Sequence, residues 1–300
     1  MRAVWSFWSK PYLASRGRTW YEPQHHLFAW GLSLRLGREH FEKTMLVTDS
    51  VGKELLVDKL GLEFDTVSSE LDLLRDQDIG WWALGKMVAY SLQDRPFVHL
   101  DTDVFLWKKP PESMLSAPVF AQCPEYHDFH SDRGPRMLEG IFARHDIQLP
   151  LEWEWSSSRD STRFREENCG MVGGTRHDFL RHWALTGIRL ATDPANRPAW
   201  DELPDKGGFN FLIEQYLLAA CIDYHRIDPE SPYKGVSVEY LFPGMAEAFD
   251  PAHAARAGYT HLLGDSKANP VVASRLEERV AKLDPAFHRH ARRVAAWVTR

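Results

Sequence analysis

The chain has 300 residues, of which 44% are hydrophobic and 26% are charged, and its 36 Lys and Arg against 42 Asp and Glu give a formal net charge of −6. This composition is typical of a globular protein and excludes disordered, collagen-like and coiled-coil chains. The acidic balance argues against nucleic acid as a partner, because binding to a phosphate backbone needs clustered Lys and Arg.

The cysteines and the apolar runs indicate a compartment. Cys123, Cys169 and Cys221 are widely spaced and form no C-x-x-C pair, so we expect three reduced thiols. No apolar run approaches the ~20 residues of a membrane helix, and the N-terminus lacks the apolar region of a signal peptide. The sequence therefore predicts a cytoplasmic protein without an integral membrane segment.

The first half of the chain alternates between strand-like and helix-like segments. The predicted strands are 2–8, 44–49, 62–67 and 96–100, and the predicted helices are 22–37, 51–60 and 80–93. This alternation predicts an α/β fold with a mainly parallel central sheet flanked by helices. Ligands of such sheets lie outside the carboxyl ends of the strands, and Asp49 and Asp101 stand at two of these ends.

The second half is less regular. The predicted strands are 104–107, 118–122, 169–174, 222–227 and 259–263, and the predicted helices are 176–188, 207–221, 271–283 and 285–298. Residues 124–167 are rich in Trp, Arg, Glu, Asp and Ser, and we interpret them as a long irregular insertion. No break in composition indicates a domain boundary, so we expect one domain over residues 1–300.

An Asp-x-Asp sequence, Asp101-Thr102-Asp103, interrupts an apolar run between Leu100 and Val104. Side chains two apart on a strand share a face, so the two carboxylates can converge on one point. Unpaired, they would repel each other, and one would hold a proton; a divalent cation with a preference for oxygen, Mn²⁺ or Mg²⁺, removes this conflict. The alternative is a strand-end turn whose carboxylates bond to backbone amides or to an Arg.

A second signal lies near the C-terminus, where His261, Gly264 and Lys267 follow one another at intervals of three residues. The imidazole ends a short apolar strand, and the glycine permits a close backbone approach or a positive φ. A histidine ligand to the metal and a lysine on a phosphate oxygen would be compatible roles. Taken singly, a residue such as His261 is more often a structural histidine, and one such as Lys267 is more often a surface charge.

Two further signals are weaker. Asn168 and Gly170 open a glycine-rich segment, which would let a ligand lie close to the backbone or would simply border a strand. Asn210 and Glu214 are four residues apart in a predicted helix and share a face, which indicates either a stripe facing a site or ordinary helix pairing.

The order and context of these motifs resemble the glycosyltransferases with the GT-A fold, most closely the retaining group that includes glycosyltransferase family 8 and related D-x-D sugar-transferase families. Family 8 has a strand-terminal D-x-D, a later N-x-G and then H-x-x-G-x-x-K. The corresponding residues here are Asp101-Thr102-Asp103, Asn168-Cys169-Gly170 and the segment from His261 to Lys267. The resemblance implies a nucleotide-binding half, 1–123, and an acceptor-side half with C-terminal helices, 124–300.

The resemblance also implies roles for individual residues. Asp101, Asp103 and His261 would hold Mn²⁺ or Mg²⁺ on the diphosphate of a nucleotide sugar, with a UDP-sugar favoured. The other implied donor-binding positions are Ser6, Trp8, Tyr12, Thr48, Asp49, Lys86, Thr102, Asn168, Gly170, Gly264 and Lys267. The candidate catalytic residues are Asn210, Glu214 and Gln215, the last two near the anomeric carbon.

The implied activity is metal-dependent transfer of a sugar to the hydroxyl of a glycan, peptide or small-molecule acceptor, with retention of anomeric configuration. A nucleotidyltransferase would also use paired Asp and a metal, but residues 9–17 supply only one glycine for its phosphate loop. A non-catalytic nucleotide-sugar-binding protein on the same scaffold stays open, since fold does not determine function. A third idea places a metal at His127 and His130.

Overall fold

The computed structural model describes residues 1–15, 19–159, 162–203 and 205–298. Within these residues the strands are β1 (Arg2–Phe7), β2 (Lys43–Thr48), β3 (Thr66–Ser68), β4 (Phe97–Leu100), β5 (Val104–Leu106), β6 (Val119–Ala121), β7 (Pro124–Asp128), β8 (Arg163–Glu167), β9 (Met171–Gly174), β10 (Val238–Tyr240) and β11 (Tyr259–His261).

The α-helices of the described residues are α1 (Ser9–Ala14), α2 (Pro23–His40), α3 (Ser50–Lys53), α4 (Leu84–Ser91), α5 (Glu112–Leu115), α6 (Pro135–Arg144), α7 (Leu151–Ser157), α8 (His177–Thr192), α9 (Arg197–Asp201), α10 (Leu217–Ile227), α11 (Met245–Phe249), α12 (Pro251–Ala257), α13 (Pro270–Leu283) and α14 (Pro285–Val298). Two π-helical segments, Glu54–Lys59 and Leu212–Tyr216, continue α3 and precede α10. Short 3₁₀ turns occupy Glu70–Leu74, Pro194–Asn196, Gly207–Phe209 and Gly264–Ala268.

Seven strands form the central sheet, in the order β10-β6-β9-β4-β1-β2-β3. β1 pairs in parallel with β2, β2 with β3 and β6 with β10, whereas β6 and β9 run antiparallel. The predicted α/β class, with a mainly parallel sheet and flanking helices, is confirmed. The division of the chain at residue 123 stays a prediction.

Two compact units make up the chain, and neither is continuous in sequence. Unit 1 comprises Met1–Arg75, His99–Pro110 and Pro251–Arg300, and unit 2 comprises Asp76–Val98 and Pro111–Asp250. The boundary at 98/99 falls inside β4. Prolines mark the crossings at 110/111 and 250/251, but each is a short signal, and no stretch of biased composition accompanies it.

In unit 1, α2 packs against the terminal helices α13 and α14. The Phe28 ring stacks on His288 with ring centroids 5.0 Å apart. A Cβ atom at Gly31 would lie only 2.2 Å from the Phe287 ring, so glycine is what lets α14 approach α2 so closely. Proline at the first turn of α2, where no backbone N–H is needed, begins that helix.

In unit 2, α4, α8, α10 and the π-helical segment Leu212–Tyr216 pack together. Trp183 stacks on Tyr90 with ring centroids 5.0 Å apart, and both side chains are completely buried. Aromatic side chains of this size bury more apolar area than any other residues, so this pair is a large part of the local core.

Two sequence-based expectations are wrong. Residues 124–167 are not an irregular insertion: β7 and β8 pair antiparallel there, from Pro124 opposite Glu167 to Asp128 opposite Arg163, and enclose α6 and α7. Charged side chains alternate with few apolar ones in this segment, so its periodicity is weak although its elements are regular.

Residues 222–227 are not a strand but the last turns of α10. Ile222 and His225 are buried on one side of that helix, and the apolar run that predicted a strand is a buried helix face. The predicted strand at 62–67 shrinks to β3, Thr66–Ser68, and the predicted helix at 80–93 begins only at Leu84, after a turn.

Candidate functional site

Asp101, Thr102 and Asp103 form a tight turn between β4 and β5, in which the Val104 N–H donates to the Asp101 carbonyl at 3.0 Å. They are therefore not on one extended strand, as the argument from strand spacing assumed. The two carboxylates nevertheless converge: one donor atom each of Asp101, Asp103 and His261 lie within 4.8 Å of one another.

Strand pairing brings His261 to the turn. β11 runs antiparallel to β5 with His261 opposite Val104, and the Leu262 N–H donates to the Asp103 carbonyl at 3.0 Å. The His261 Nε2 lies 3.6 Å from the Asp103 Oδ1. Residues 158 positions apart in sequence (261 − 103) therefore meet because two short strands pair outside the main sheet.

Lys267 provides the positive charge of this cluster. Its Nζ lies 2.5 Å from the Asp103 Oδ2. Gly264, at φ +52°, takes the left-handed conformation that favours glycine and begins the 3₁₀ turn that carries Lys267. The Tyr21 N–H donates to the Lys267 carbonyl at 2.9 Å and anchors the turn.

Asp103 is 3% exposed. Burial by itself would raise the pKa of this carboxyl, but the charges of Lys267 and His261 outweigh burial and hold the pKa below its ordinary value. Asp103 is consequently ionised at neutral pH, and its charge is compensated by the neighbouring cations, as a buried carboxylate requires.

A buried histidine that the sequence analysis missed adjoins Asp101. The His99 Nδ1 lies 3.8 Å from the Asp101 Oδ1, and the His99 Nε2 lies 2.9 Å from the Ser6 Oγ. The sequence did contain a signal for His99, because it is the single polar residue of the apolar strand β4. Ser6, at the C-terminal part of β1, is thereby connected to the turn.

The other donor-binding positions predicted for unit 1 make internal bonds. The Thr48 hydroxyl donates to the Phe7 carbonyl at 2.7 Å. Asp49 accepts from the Ser9 N–H and hydroxyl, at 2.9 and 2.8 Å, and from the Gly52 N–H at 2.6 Å, and so connects the starts of α1 and α3. These are structural bonds, and contact with a nucleoside stays a prediction for both residues.

Trp8 and Tyr12 lie at α1, and Thr102 is half-buried in the acidic turn. The Tyr12 ring centroid is 4.4 Å from that of His26, and burial raises the pKa of the Tyr12 phenol to about 12. The hydroxyl is therefore protonated at neutral pH and available as a donor.

In unit 2, Lys86 and Glu214 form a buried ion pair. The Lys86 Nζ lies 2.9 Å from the Glu214 Oε1 and donates to the Cys169 carbonyl at 3.3 Å, and the Tyr90 hydroxyl donates to the same Oε1 at 2.8 Å. Glu214 is fully buried, and its Oε2 has no hydrogen-bond partner among the described residues. It lies in the π-helical segment, a conformation frequent at functional sites.

Asn210 is held by backbone groups on all sides. Its Oδ1 accepts from the Ala83 N–H at 2.8 Å, and its Nδ2 donates to the Gly80 carbonyl at 2.7 Å. Such bonds give Asn210 a structural role in unit 2, and a catalytic role stays a prediction. Gln215, next to Glu214, is 8% exposed.

The side chain of Asn168 also makes hydrogen bonds within the protein. Its Nδ2 donates to the Glu125 Oε1 at 2.6 Å, and its Oδ1 accepts from the Gly170 N–H at 3.0 Å. The predicted N-x-G element is therefore a closed local turn next to β9. Contact between Asn168 and a donor sugar stays a prediction.

Two other groups of side chains can bring three metal-ligating atoms together: Glu125, His127 and Glu166, and Glu152, His182 and His225. The first contains His127 but not His130, and a metal shared by His127 and His130 stays a prediction. The second was missed, because its members are far apart in sequence and each occupies an ordinary helix.

The fold and this cluster define an α/β protein whose strand ends carry two carboxylates, an imidazole and an ammonium group. The chain belongs to the family described as a family of unknown function, DUF6734, which it matches over residues 1–294. No curated protein matches the chain. Among solved structures, it is similar to the galactosyltransferase LgtC in complex with donor and acceptor sugar analogs, with 14% identity and a TM-score of 0.41 over 94% of this chain and 96% of that chain.

Among the described residues, no helix combines the length and the apolar character that crossing a membrane requires.

Proposed function

We propose that the chain is a metal-dependent glycosyltransferase of the GT-A type. It would move a sugar from a nucleoside-diphosphate sugar, with a UDP-sugar favoured, to an acceptor hydroxyl with retention of configuration. The observation that supports this proposal is the convergence of Asp101, Asp103 and His261 beside the ammonium group of Lys267.

The donor set fits a divalent metal ion. Asp101 and Asp103 offer carboxylate oxygens, His261 offers an imidazole nitrogen, and this combination suits Mn²⁺ better than a soft metal. Asp103 is ionised and buried, so it can bind a cation without first losing a proton. Bound there, Mn²⁺ would act as a Lewis acid on the charge that develops on the departing diphosphate.

The residues of the chain would supply binding and charge. Lys267 would bind a phosphate oxygen as an ammonium group, and the backbone at Gly264 would approach the diphosphate closely. The bond between the anomeric carbon and the phosphate oxygen breaks, and the acceptor oxygen bonds to that carbon on the same face. The acceptor proton goes to the leaving phosphate oxygen, so the scheme needs no protein base.

In unit 2, Lys86, Asn168, Glu214 and Gln215 are the residues that we propose for the sugar side of the reaction. Glu214 supports this role because one of its carboxylate oxygens is buried without a hydrogen-bond partner among the described residues. A buried acceptor of this kind is costly unless something donates to it, and a sugar hydroxyl is such a donor.

The test is the Asp103→Asn variant, assayed with Mn²⁺ and a panel of UDP- and GDP-sugars. Wild-type protein should hydrolyse or transfer from one donor, EDTA should abolish this, and Asp103→Asn should lose at least about 100-fold in kcat/KM. The control is Asp76→Asn, in the other Asp-x-Asp sequence of the chain, which should leave activity unchanged.

Full activity of Asp103→Asn, or in EDTA, would reject the scheme. Binding of a nucleotide sugar without turnover would instead support a non-catalytic binding protein. Release of pyrophosphate from a nucleoside triphosphate and a sugar phosphate would support a nucleotidyltransferase.

A further inference from the structure

Three helices of unit 2 direct one ligating side chain each to a common point. Glu152 lies in α7, His182 in α8 and His225 in α10. The Glu152 Oε1 is 2.7 Å from the His182 Nε2 and 3.2 Å from the His225 Nε2, and the two Nε2 atoms are 3.3 Å apart. None of these residues takes part in the function proposed above.

These distances are close to those between ligands of one tetrahedral metal ion. Zinc binds imidazole nitrogen and carboxylate oxygen at about 2.0–2.2 Å, so two ligands at the tetrahedral angle lie about 3.3–3.6 Å apart. The His225 Nε2 lies 3.3 Å from the His182 Nε2 and 3.2 Å from the Glu152 Oε1, both close to the lower end of this range. The contact between Glu152 and His182, at 2.7 Å, would need to lengthen most, by about 0.6–0.9 Å, to admit the metal.

The second ring nitrogen of His225 has the partner that a metal ligand needs. The His225 Nδ1 lies 2.7 Å from the Ser231 Oγ, which also accepts from the Tyr233 N–H at 2.9 Å. A hydroxyl oxygen can accept two hydrogen bonds, so Nδ1–H can donate to Ser231 and leave Nε2 with its lone pair facing the cluster. Partners of this kind fix the tautomer and orientation of metal-binding histidines.

Burial and access also fit a metal with one exchangeable position. The side chains of Glu152 and His225 are 8% and 7% exposed, whereas that of His182 is 27% exposed. Glu152 and His182 line a cavity of about 330 Å³, and Thr186 and Arg189 lie on its wall. Catalytic zinc sites use three protein ligands and leave the fourth position to water or substrate.

We infer that Glu152, His182 and His225 form a zinc site in unit 2, with a fourth position open to water or a small anion. The inference does not depend on the proposed glycosyl transfer, because no residue is shared between the two sites. All three ligands of the zinc site lie on helices. This favours metal binding, because side chains on helices are held more precisely than side chains on loops.

The test uses the full chain, stripped with EDTA and titrated with Zn²⁺ against a chromogenic chelator. After stripping, wild-type protein should rebind one zinc equivalent. His182→Gln should weaken the binding of that zinc by more than about tenfold. Asp103→Asn should retain that equivalent. The matched control is His145→Gln, because the His145 Nε2 also bonds to a glutamate oxygen, Glu202 Oε1, but the other partner of Glu202 is Arg144, which is not a metal ligand.

Substitution of Co²⁺ on the Asp103→Asn variant, in which the other candidate metal site has lost a ligand charge, provides a second readout. We expect the visible absorption bands of a four-coordinate nitrogen and oxygen site. Equal zinc binding by wild type and His182→Gln, or an octahedral cobalt spectrum, would overturn the inference. Loss of the zinc equivalent in Asp103→Asn but not in His182→Gln would overturn it as well, and would assign the metal to the other site.

Discussion

His26 lies in α2 of unit 1 as a neutral imidazole. Its Nε2 accepts a hydrogen bond from the Trp30 Nε1 at 3.1 Å, so this nitrogen cannot carry a proton. Burial, followed by the positive charge of Lys267, lowers the pKa of His26 to about 3, and the opposing charge of Asp103 offsets only part of this. The unfolded chain, in contrast, takes up a proton near pH 6.5.

We therefore expect His26 to make folding depend on pH. The folded pKa lies below the unfolded one, so its contribution is complete above pH 6.5 and decreases as the pH falls toward 3, by up to about 1.4 kcal/mol per pH unit. Urea unfolding of wild type and His26→Gln in EDTA, from pH 7 to pH 4, measures this. A stability difference that stays constant with pH would contradict it.

Lys86 is predicted to stabilise unit 2 through Glu214. Removing one partner of a buried ion pair leaves the other charge uncompensated, so Lys86→Met should cost about 3 kcal/mol of unfolding free energy. Adding Glu214→Gln should restore much of the loss, because the buried charge is then gone while the amide can still accept from the Tyr90 hydroxyl. Chemical denaturation of the single and double variants measures these unfolding free energies. A Lys86→Met variant as stable as wild type would refute the prediction.

At the scale of single residues, the sequence predicted which side chains of unit 1 converge. The reason given for their convergence was wrong. Asp101 and Asp103 meet His261 because a turn and a strand pair bring them there, and not because they alternate on one strand. No local pattern relates Glu152 to His225, since their contact depends on the packing of separate helices. Lys86 was singled out, but its partner Glu214 was assigned independently of it.

Among the elements, α8 and the π-helical segment Leu212–Tyr216 are held unusually close. The Trp183 Nε1 donates to the Glu214 carbonyl at 3.0 Å, and a Cβ atom at Gly187 would lie 2.7 Å from the Ile213 carbonyl oxygen and 2.4 Å from the Met87 methyl group. The widened π turn directs carbonyls toward α8, and a small residue at position 187 makes room for them.

Gly187→Ala should accordingly destabilise the protein. The added methyl group meets backbone on one side, so we expect a loss of about 1–3 kcal/mol, measured by denaturant unfolding. Gly140→Ala is the matched control: it also lies within a helix, α6, but its Cβ would have only the Arg144 guanidinium nearby, at 3.8 Å, and we expect a gain of roughly 0.5–1 kcal/mol. Equal effects of the two substitutions would refute the packing argument.

Elements with strong periodicity were predicted from the sequence, and elements defined by tertiary contacts were not. α2, α13 and α14 carry clear apolar stripes bounded by proline. β7 and β8 carry charged side chains on both strands, so nothing in their pattern distinguishes them from a loop. The end of α10 was taken for a strand because its short run of residues does not show a helical period, although Ile222 and His225 are buried on one side of the helix.

For the whole molecule, the class of fold follows from the alternation of strands and helices, whereas the division into units does not. The chain passes between the units at 75/76, 98/99, 110/111 and 250/251, and one of these crossings interrupts a strand. A boundary inside a regular element has no excess of Gly, Pro or Ser to reveal it.

The three-part composition of unit 1 has a consequence for biosynthesis. Asp101 and Asp103 leave the ribosome before unit 2 is complete, whereas His261 and Lys267 follow it, in the third segment of unit 1. A nascent chain thus carries its acidic turn without His261 and Lys267 until residue 267 has been made. Unit 2 has all of its segments by residue 250, so the order of synthesis favours its folding before the acidic turn acquires its charge partners.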